Sequence, residues 1–353
     1  EDGSIGFEFP NGYNRSEPLI IDPTLIFSTY SGSTANNFGY SATFDARGYL
    51  YSASTVFDNG YPTTMGAFQT SWAGGTGGGP VGFPTINGTD IAITKWDTNG
   101  TAPIYSTYIG GSGDELPHSL VVNDNQELYL MGTTGSIDYP VIATSYDTSF
   151  NIDTNNVNQI NLLAGLGVFF DNGSDLVISR FDSSGNNLLG STFLGGTHND
   201  GLNDGPTKFN YADEVRGEIA IDNNQNVVIV TCTRSNDIPI AGSPFQGTKP
   251  GPTNNLDAAI FKMNYDLTSL TWSSYLGGNA ADGLYSVAFD DQNQLYVSGG
   301  TSSNNFPMTA GVVDTSQNGG IDAFVSLISE NGSNIIHSTY WGSNDYDQSY
   351  FVE

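Results

Sequence analysis

The chain has 353 residues and sets nine Lys and Arg against 37 Asp and Glu, a formal net charge of −28. A field of that sign repels phosphate backbones and anionic lipid heads, so nucleic acid is excluded as an expected partner, while cationic groups and divalent metals are favoured. Cys232 is the single cysteine, so no intramolecular disulfide can form, and no apolar stretch approaches the roughly 20 residues of a membrane-spanning helix. Aromatic residues make up 12% of the chain, enough to build a packed core. Cys232 lies in the apolar run 227–232 and is expected to be a small buried side chain.

In chain order, residues 1–24 stand apart as the tail of an upstream β domain or a packing arm. From Leu25 a repeat takes over. The phrase Trp272-Ser273-Ser274-Tyr275-Leu276-Gly277-Gly278 returns at Phe27–Gly32, Tyr105–Gly111, Gly190–Gly196 and His337–Gly342, with starts about 65 to 85 residues apart. Each copy predicts a short strand broken by glycine. The best preserved unit predicts four strands, A at 285–290, B at 294–300, C at 322–328 and D at 334–340. Three earlier units keep the order, with A and B at 40–45 and 49–55, 119–123 and 127–133, and 218–222 and 226–233. Their C strands are expected at 90–97, 175–182 and 257–264. The fold class is therefore all-β, a β-propeller of four-stranded antiparallel blades, with blades at about 40–110, 119–196, 215–278 and 284–342 and the start of a fifth at 349–353. A row of β-sandwiches is the alternative, but each would need about 100 residues of its own. A D-like strand at 25–30 and an A-like segment at 349–353 lead us to expect an incomplete ring and a longer polypeptide.

The order Ser-Thr-Tyr-x-Gly-Gly, an A strand ending in Asp, Asn293–Gly299, Asn305-Phe306-Pro307 and Gly320–Val325 resembles the bacterial SBBP β-propeller repeat, as does the loop Tyr61–Thr70. The resemblance runs from Leu25 to the end. It implies a seven-bladed propeller, and the lead-in Pro18-Leu19-Ile20-Ile21-Asp22-Pro23 resembles the join between such propellers and a preceding β domain in large secreted proteins of Bacteroidota, which implies a possible type IX secretion cargo at the cell surface. Its partners would be other cell-surface or secretion-system proteins, or a glycan, with no direct membrane insertion.

Antiparallel order puts the A–B and C–D turns on one face of the ring and the B–C and D–A connections on the other. Long insertions around 71–89, 141–174 and 197–214 all fall in the second group, the expected binding side. Asp90, Asp175, Asp257 and Asp322 open the C strands and are expected to anchor their own loops. A second acidic set follows the glycines at Asp200, Asp282 and Asp347, where other blades place Asn37 and Glu115. Asp200, Asn203, Asp204 and Asp213 form a candidate Ca²⁺ set, because calcium takes six to eight oxygens. No other cofactor is expected. The histidines show no two-His metal spacing and no Gly-x-Ser-x-Gly elbow occurs. The expected function is non-catalytic binding. Its alternative is a carbohydrate lyase or hydrolase using paired carboxylates such as Asp290-Asp291, with Trp72 or Trp341 stacked on sugar.

Overall fold

The computed structural model describes residues 25–75, 87–153, 168–203 and 205–353. Four antiparallel sheets of four strands follow one another along the chain. The first blade is β1 (Asn37–Phe44), β2 (Leu50–Val56), β3 (Asp90–Trp96) and β4 (Pro103–Ile109). The second is β5 (Glu115–Val122), β6 (Leu128–Thr134), β7 (Asp175–Phe181) and β8 (Leu188–Leu194). The third is β9 (Glu218–Ile221), β10 (Val227–Thr233), β11 (Asp257–Met263) and β12 (Leu270–Leu276). The fourth is β13 (Asp282–Phe289), β14 (Leu295–Thr301), β15 (Asp322–Ile328) and β16 (Ile335–Trp341). Consecutive blades pack face to face around the inner strands β1, β5, β9 and β13, an arc of a β-propeller. Among the described residues no packing of the fourth blade on the first closes a ring. Residues 25–30 take no strand structure, although Phe27 lies against Gly100 in the relation that Tyr105 bears to Gly185.

Burial on both faces explains the composition of the middle strands. Val227 and Ile229 of β10 join Tyr129 and Leu176 of the second blade, whereas Val228 and Val230 join Leu284 and Val297 of the fourth. Side chains alternate across a strand, so a sheet covered on both sides reads as a continuous apolar run. The polar ends of these strands are fixed by repeated turns. Asp45 Oδ1 accepts from the N–H groups of Arg47 and Tyr49, and Asn123, Asp222 and Asp290 do the same in the other blades. Asp290 is thus a turn anchor on the A–B side.

The repeated phrase is a clasp. The B–C loop leaves the loop face and folds back along the open edge of its own D strand, where Thr64 N–H donates to Ser106 O at 3.0 Å and Tyr108 N–H to Gln69 O at 3.0 Å. The pair recurs as Ile142–Ser191 with Phe193–Asp147 and Thr309–Ser338 with Tyr340–Asp314, while in the third blade Tyr275 N–H again donates to Gln246 O and the other bond is reversed, Ser273 N–H donating to Ala241 O at 3.3 Å. The hydroxyls of Thr107, Thr192, Ser274 and Thr339 each accept from the loop N–H at the second of these positions. The phenols of Tyr108, Tyr275 and Tyr340 accept from Tyr61, Ile238 and Phe306 N–H. An edge strand is thereby covered rather than left open to another chain.

Two expectations are corrected. Strands A begin earlier than 40, 119 and 285, because Asn37, Glu115 and Asp282 already pair with strand B. The insertion near 197–214 does not belong to the D–A connection. Asp200 bridges to Thr233, as Asp282 pairs with Thr301, and the chain leaves strand A only afterwards, rejoining it at Glu218.

One seam shows packing decided pairwise. Tyr105 and Trp272 lie over Gly185 and Gly332 of the next blade, leaving those glycines no room for a Cβ. Between the second and third blades the sizes are reversed. Gly190 faces Leu267, which is fully buried and holds the left-handed φ of 61° that glycine takes in the other turns. Gly190→Tyr alone should clash and Leu267→Gly alone should leave a cavity, each lowering stability by about 2–4 kcal/mol. The double variant should recover most of that loss in urea unfolding. Additive losses would show that the two positions do not share one space.

Candidate functional site

Asp90, Asp175, Asp257 and Asp322 are fully buried at the first residues of β3, β7, β11 and β15. Asp90 Oδ2 accepts from Ala73 N–H at 2.7 Å, Asp175 Oδ2 from Asn151 N–H at 2.7 Å and Asp322 Oδ2 from Asn318 N–H at 2.6 Å. Asp257 has Lys249 Nζ 3.8 Å from Oδ2 in place of a backbone donor. In all four, Oδ1 is buried with no hydrogen-bond donor. In the first three blades it faces a second acid, from the start of the next strand A.

The first glycine after each D strand makes this approach possible. A Cβ on Gly110 would stand 2.7 Å from Asp90 Oδ1 and 2.6 Å from Glu115 Oε2. On Gly195 it would meet Asp175 Oδ1 at 2.8 Å and Asp200 Oδ2 at 2.5 Å, and on Gly277 Asp257 Oδ1 at 2.5 Å and Asp282 Oδ2 at 2.7 Å. Seryl and threonyl hydroxyls hold the second acid, as Ser235 and Thr233 do for Asp200 and Ser303 and Thr301 for Asp282. Burial, with the charge of neighbouring acids added, pushes Asp90 up to about 7 and Asp175 and Glu115 well above the usual carboxylate range. Asp257 is raised for the same two reasons, only partly offset by Lys249, whose own ammonium form burial disfavours. A carboxylic acid donating to a carboxylate satisfies the oxygens that otherwise lack a partner. These pairs lie inside the seams, fully buried, out of reach of a polymer substrate.

A cavity lies elsewhere, on the axis. In β1, β5 and β13 one extra residue, Tyr40, His118 or Tyr285, interrupts the register with β2, β6 and β14. All three line a space of about 460 Å³ together with Ser119, Arg216 and Glu218. Bulges re-aim side chains in this way. The third blade opens its strand at the corresponding place into the insertion, which crosses the axis. Tyr40 Oη donates to Ala212 O at 2.8 Å, Tyr285 Oη to Thr207 O at 2.8 Å, and Asn203 Nδ2 to Tyr285 Oη at 3.2 Å. His118 Nε2 is 2.7 Å from Thr133 Oγ1 while Nδ1 has no partner, and burial depresses its pKa to about 3, leaving the ring neutral. Glu218 Oε2 accepts from Val287 N–H at 2.7 Å, and burial, with a smaller push from Glu353, raises its pKa. Sequence periodicity gave no sign of these axial residues, since a bulge shifts register without changing composition.

The candidate calcium residues point to different neighbours. Asp200 belongs to the seam pair just described. Asn203 Oδ1 accepts from Thr207 Oγ1 at 2.9 Å. Asp213 accepts from Arg216 Nε at 3.0 Å on Oδ1 and from Phe209 and Asn210 N–H on Oδ2, closing a short 3-10 turn at Tyr211–Val215. Asp204 lies outside the described residues. Among the described residues no three His, Cys, Asp or Glu side chains are gathered to hold a metal. Trp72 is half-buried against the first blade, and Trp341 is exposed on the outer strand of the fourth.

No protein-family model matches the chain, and no curated protein matches it. Among solved structures, a protein of unknown function from Dyadobacter fermentans is 12% identical over 89% of this chain and 71% of that one, with a TM-score of 0.42. The NanB sialidase from Streptococcus pneumoniae is 10% identical over 93% of this chain and 64% of the sialidase chain, with a TM-score of 0.30. Likenesses this loose carry no argument about activity.

The seam acids give a pH dependence of definite sign. Their folded pKa values exceed the unfolded value of ~4, so the folded chain binds more protons between that value and the raised ones. The stabilisation is complete at acidic pH and is lost as pH rises through about 7 for Asp90. Melting temperature should therefore fall between about pH 5 and about pH 8.5. Asp90→Asn, whose amide donates permanently to Glu115, should raise it at the alkaline end and shrink the fall. A flat profile in the native chain would show that these acids are ionised when folded.

Proposed function

We propose that the chain is a non-catalytic binding or structural module of a secreted, cell-surface assembly, of the SBBP propeller kind, and that it engages its partner through the B–C loops. The observation that carries this is where apolar side chains are exposed. Met65, Ile137, Tyr146, Ile152, Ile240 and Val313 all lie on B–C loops, one or more per blade, while the opposite side exposes Tyr265 in a turn and Phe44, Ile104, Leu189 and Tyr296 at the strand ends. The described parts of these loops are not slack. The clasp holds each against its D strand, so an apolar contact there forms without ordering a loop first.

A second function is favoured by the axial cavity. Glu218, with Glu353 near enough to raise it, sits beside Arg216 and two tyrosines, a lining suited to a carbohydrate. The two proposals separate in one experiment. Labelled protein should bind intact cells of the source bacterium saturably, and Met65→Ser with Ile137→Ser, Ile240→Ser and Val313→Ser should weaken that binding about tenfold or more with melting temperature unchanged. Aryl glycosides and polyuronates should not be turned over. Binding untouched by the four substitutions, or turnover abolished by Glu218→Gln, would replace the first proposal with the second.

A further inference from the structure

The clasping loop has one position occupied in alternation along the arc. Gln69, Asp147, Gln246 and Asp314 are equivalent, since each donates its backbone N–H to the D-strand hydroxyl and accepts from the ring residue beyond it. In the first and third blades the glutamine side chain covers the glycine that ends strand D. Gln69 Oε1 accepts from Gly110 N–H at 3.2 Å while Nε2 donates to Ser71 O at 3.0 Å and Asp90 Oδ2 at 3.3 Å. Gln246 Oε1 accepts from Gly277 N–H at 3.0 Å and Nε2 donates to Gly277 O at 3.2 Å.

In the second and fourth blades aspartate, one carbon shorter, turns back on its own loop. Asp147 Oδ1 accepts from Ser149 N–H at 2.8 Å and Asp314 Oδ1 from Ser316 N–H at 2.9 Å. A carboxylate aimed at the glycine would stand against the seam acids behind it, whereas an amide would not. Gly195 and Gly342 N–H therefore have no partner among the described residues. A pocket opens at each. One of about 330 Å³ is bounded by Tyr146, Asp147, Gly195, Thr197 and Asp237, and one of about 410 Å³ by Asp314, Trp341, Gly342 and Asp347.

We propose that these two pockets are recognition sites for a carboxamide, the side chain of a glutamine presented by a partner polypeptide. The chain itself supplies the template. Where it carries glutamine, the carboxamide oxygen takes the glycine N–H and the nitrogen finds an acceptor, and where it carries aspartate the same groups are left facing outward. An exposed aromatic borders each pocket, Tyr146 in one and Trp341 in the other, to cover the aliphatic stem of the incoming side chain. The acids around both openings reject a carboxylate, so glutamine is selected over glutamate by charge rather than by shape. Two like pockets separated by one filled blade suit a partner with repeated glutamines, because linked weak sites reinforce one another. The inference rests on the proposal that the loop rim is the binding surface, and adds the chemistry of what binds there.

The test reads the glycines directly. Full-length chain selectively labelled with ¹⁵N-glycine is titrated with the peptides Ala-Gln-Ala and Ala-Glu-Ala at millimolar concentration. Saturable shifts of Gly195 and Gly342 with the first peptide alone, with Gly110 and Gly277 unmoved, are expected. Asp147→Gln should fill its own pocket, abolish the Gly195 response, leave that of Gly342 and raise the melting temperature. A variant carrying only Met65→Ser, Ile137→Ser and Ile240→Ser touches neither pocket and should keep both responses, so failure of the broader proposal is distinguishable from failure of this one. Acetamide shifting the same two glycines would support the carboxamide chemistry but, if it equalled the peptide, would overturn a polypeptide source. Equal shifts with Ala-Glu-Ala, no shift with either peptide, or a Gly195 response that survives in Asp147→Gln would overturn the proposal.

Discussion

A sheet with neighbours on both faces has nowhere to place a charge except at the ends of its strands, and that constraint shapes this molecule. Lys95, Arg180 and Lys262 are buried near the turn-side ends, and each meets an acid: Asp45 for the first, Glu127 and Asp266 for the second, Asp222 and Glu330 for the third. At the opposite ends acids outnumber cations, so acid meets acid. Asp90 with Glu115, Asp175 with Asp200 and Asp257 with Asp282 are pressed together across a glycine, and the first acid of each pair is raised by burial first and then by a nearby acid's charge, that of Asp114 for Asp90, Asp200 for Asp175 and Asp282 for Asp257. Lys249 enters one seam at the place where backbone N–H groups serve the others, which shows what a cation there has to replace.

The clasp answers a different need. Each blade ends in an outer strand with an open edge, and the B–C loop covers it with two backbone hydrogen bonds and a set of hydroxyls. This gives the recurring Ser-Thr-Tyr a structural reason. The serine, threonine and tyrosine of the phrase face a loop that varies in length, and they fix its root while leaving its middle free to change. The Phe193 position tolerates loss of the hydroxyl because Thr192 and two backbone bonds remain.

Much of the architecture was legible because the repeat is written in strand-length units. Asp90, Asp175, Asp257 and Asp322 could be placed at strand starts from spacing alone, and the A–B turns from their Asn and Asp residues. The functional surfaces were less legible. Tyr40, His118 and Tyr285 became axial through bulges, which no periodicity reveals. The insertion after Asp200 was visible as extra length, but its path across the axis depends on contacts with Tyr40 and Tyr285 from other blades.

Sequence by itself determined the unit: four short strands, glycines where chains approach closely, and an acid at each strand start, because these depend on neighbours in the same or the next repeat. Tertiary structure alone decided which acids face each other, which residues reach the axis, and that glutamine at 69 and 246 fills a space that aspartate at 147 and 314 leaves open. Those outcomes depend on distances between blades, and a linear pattern carries no record of a gap between two surfaces until both have been folded into place.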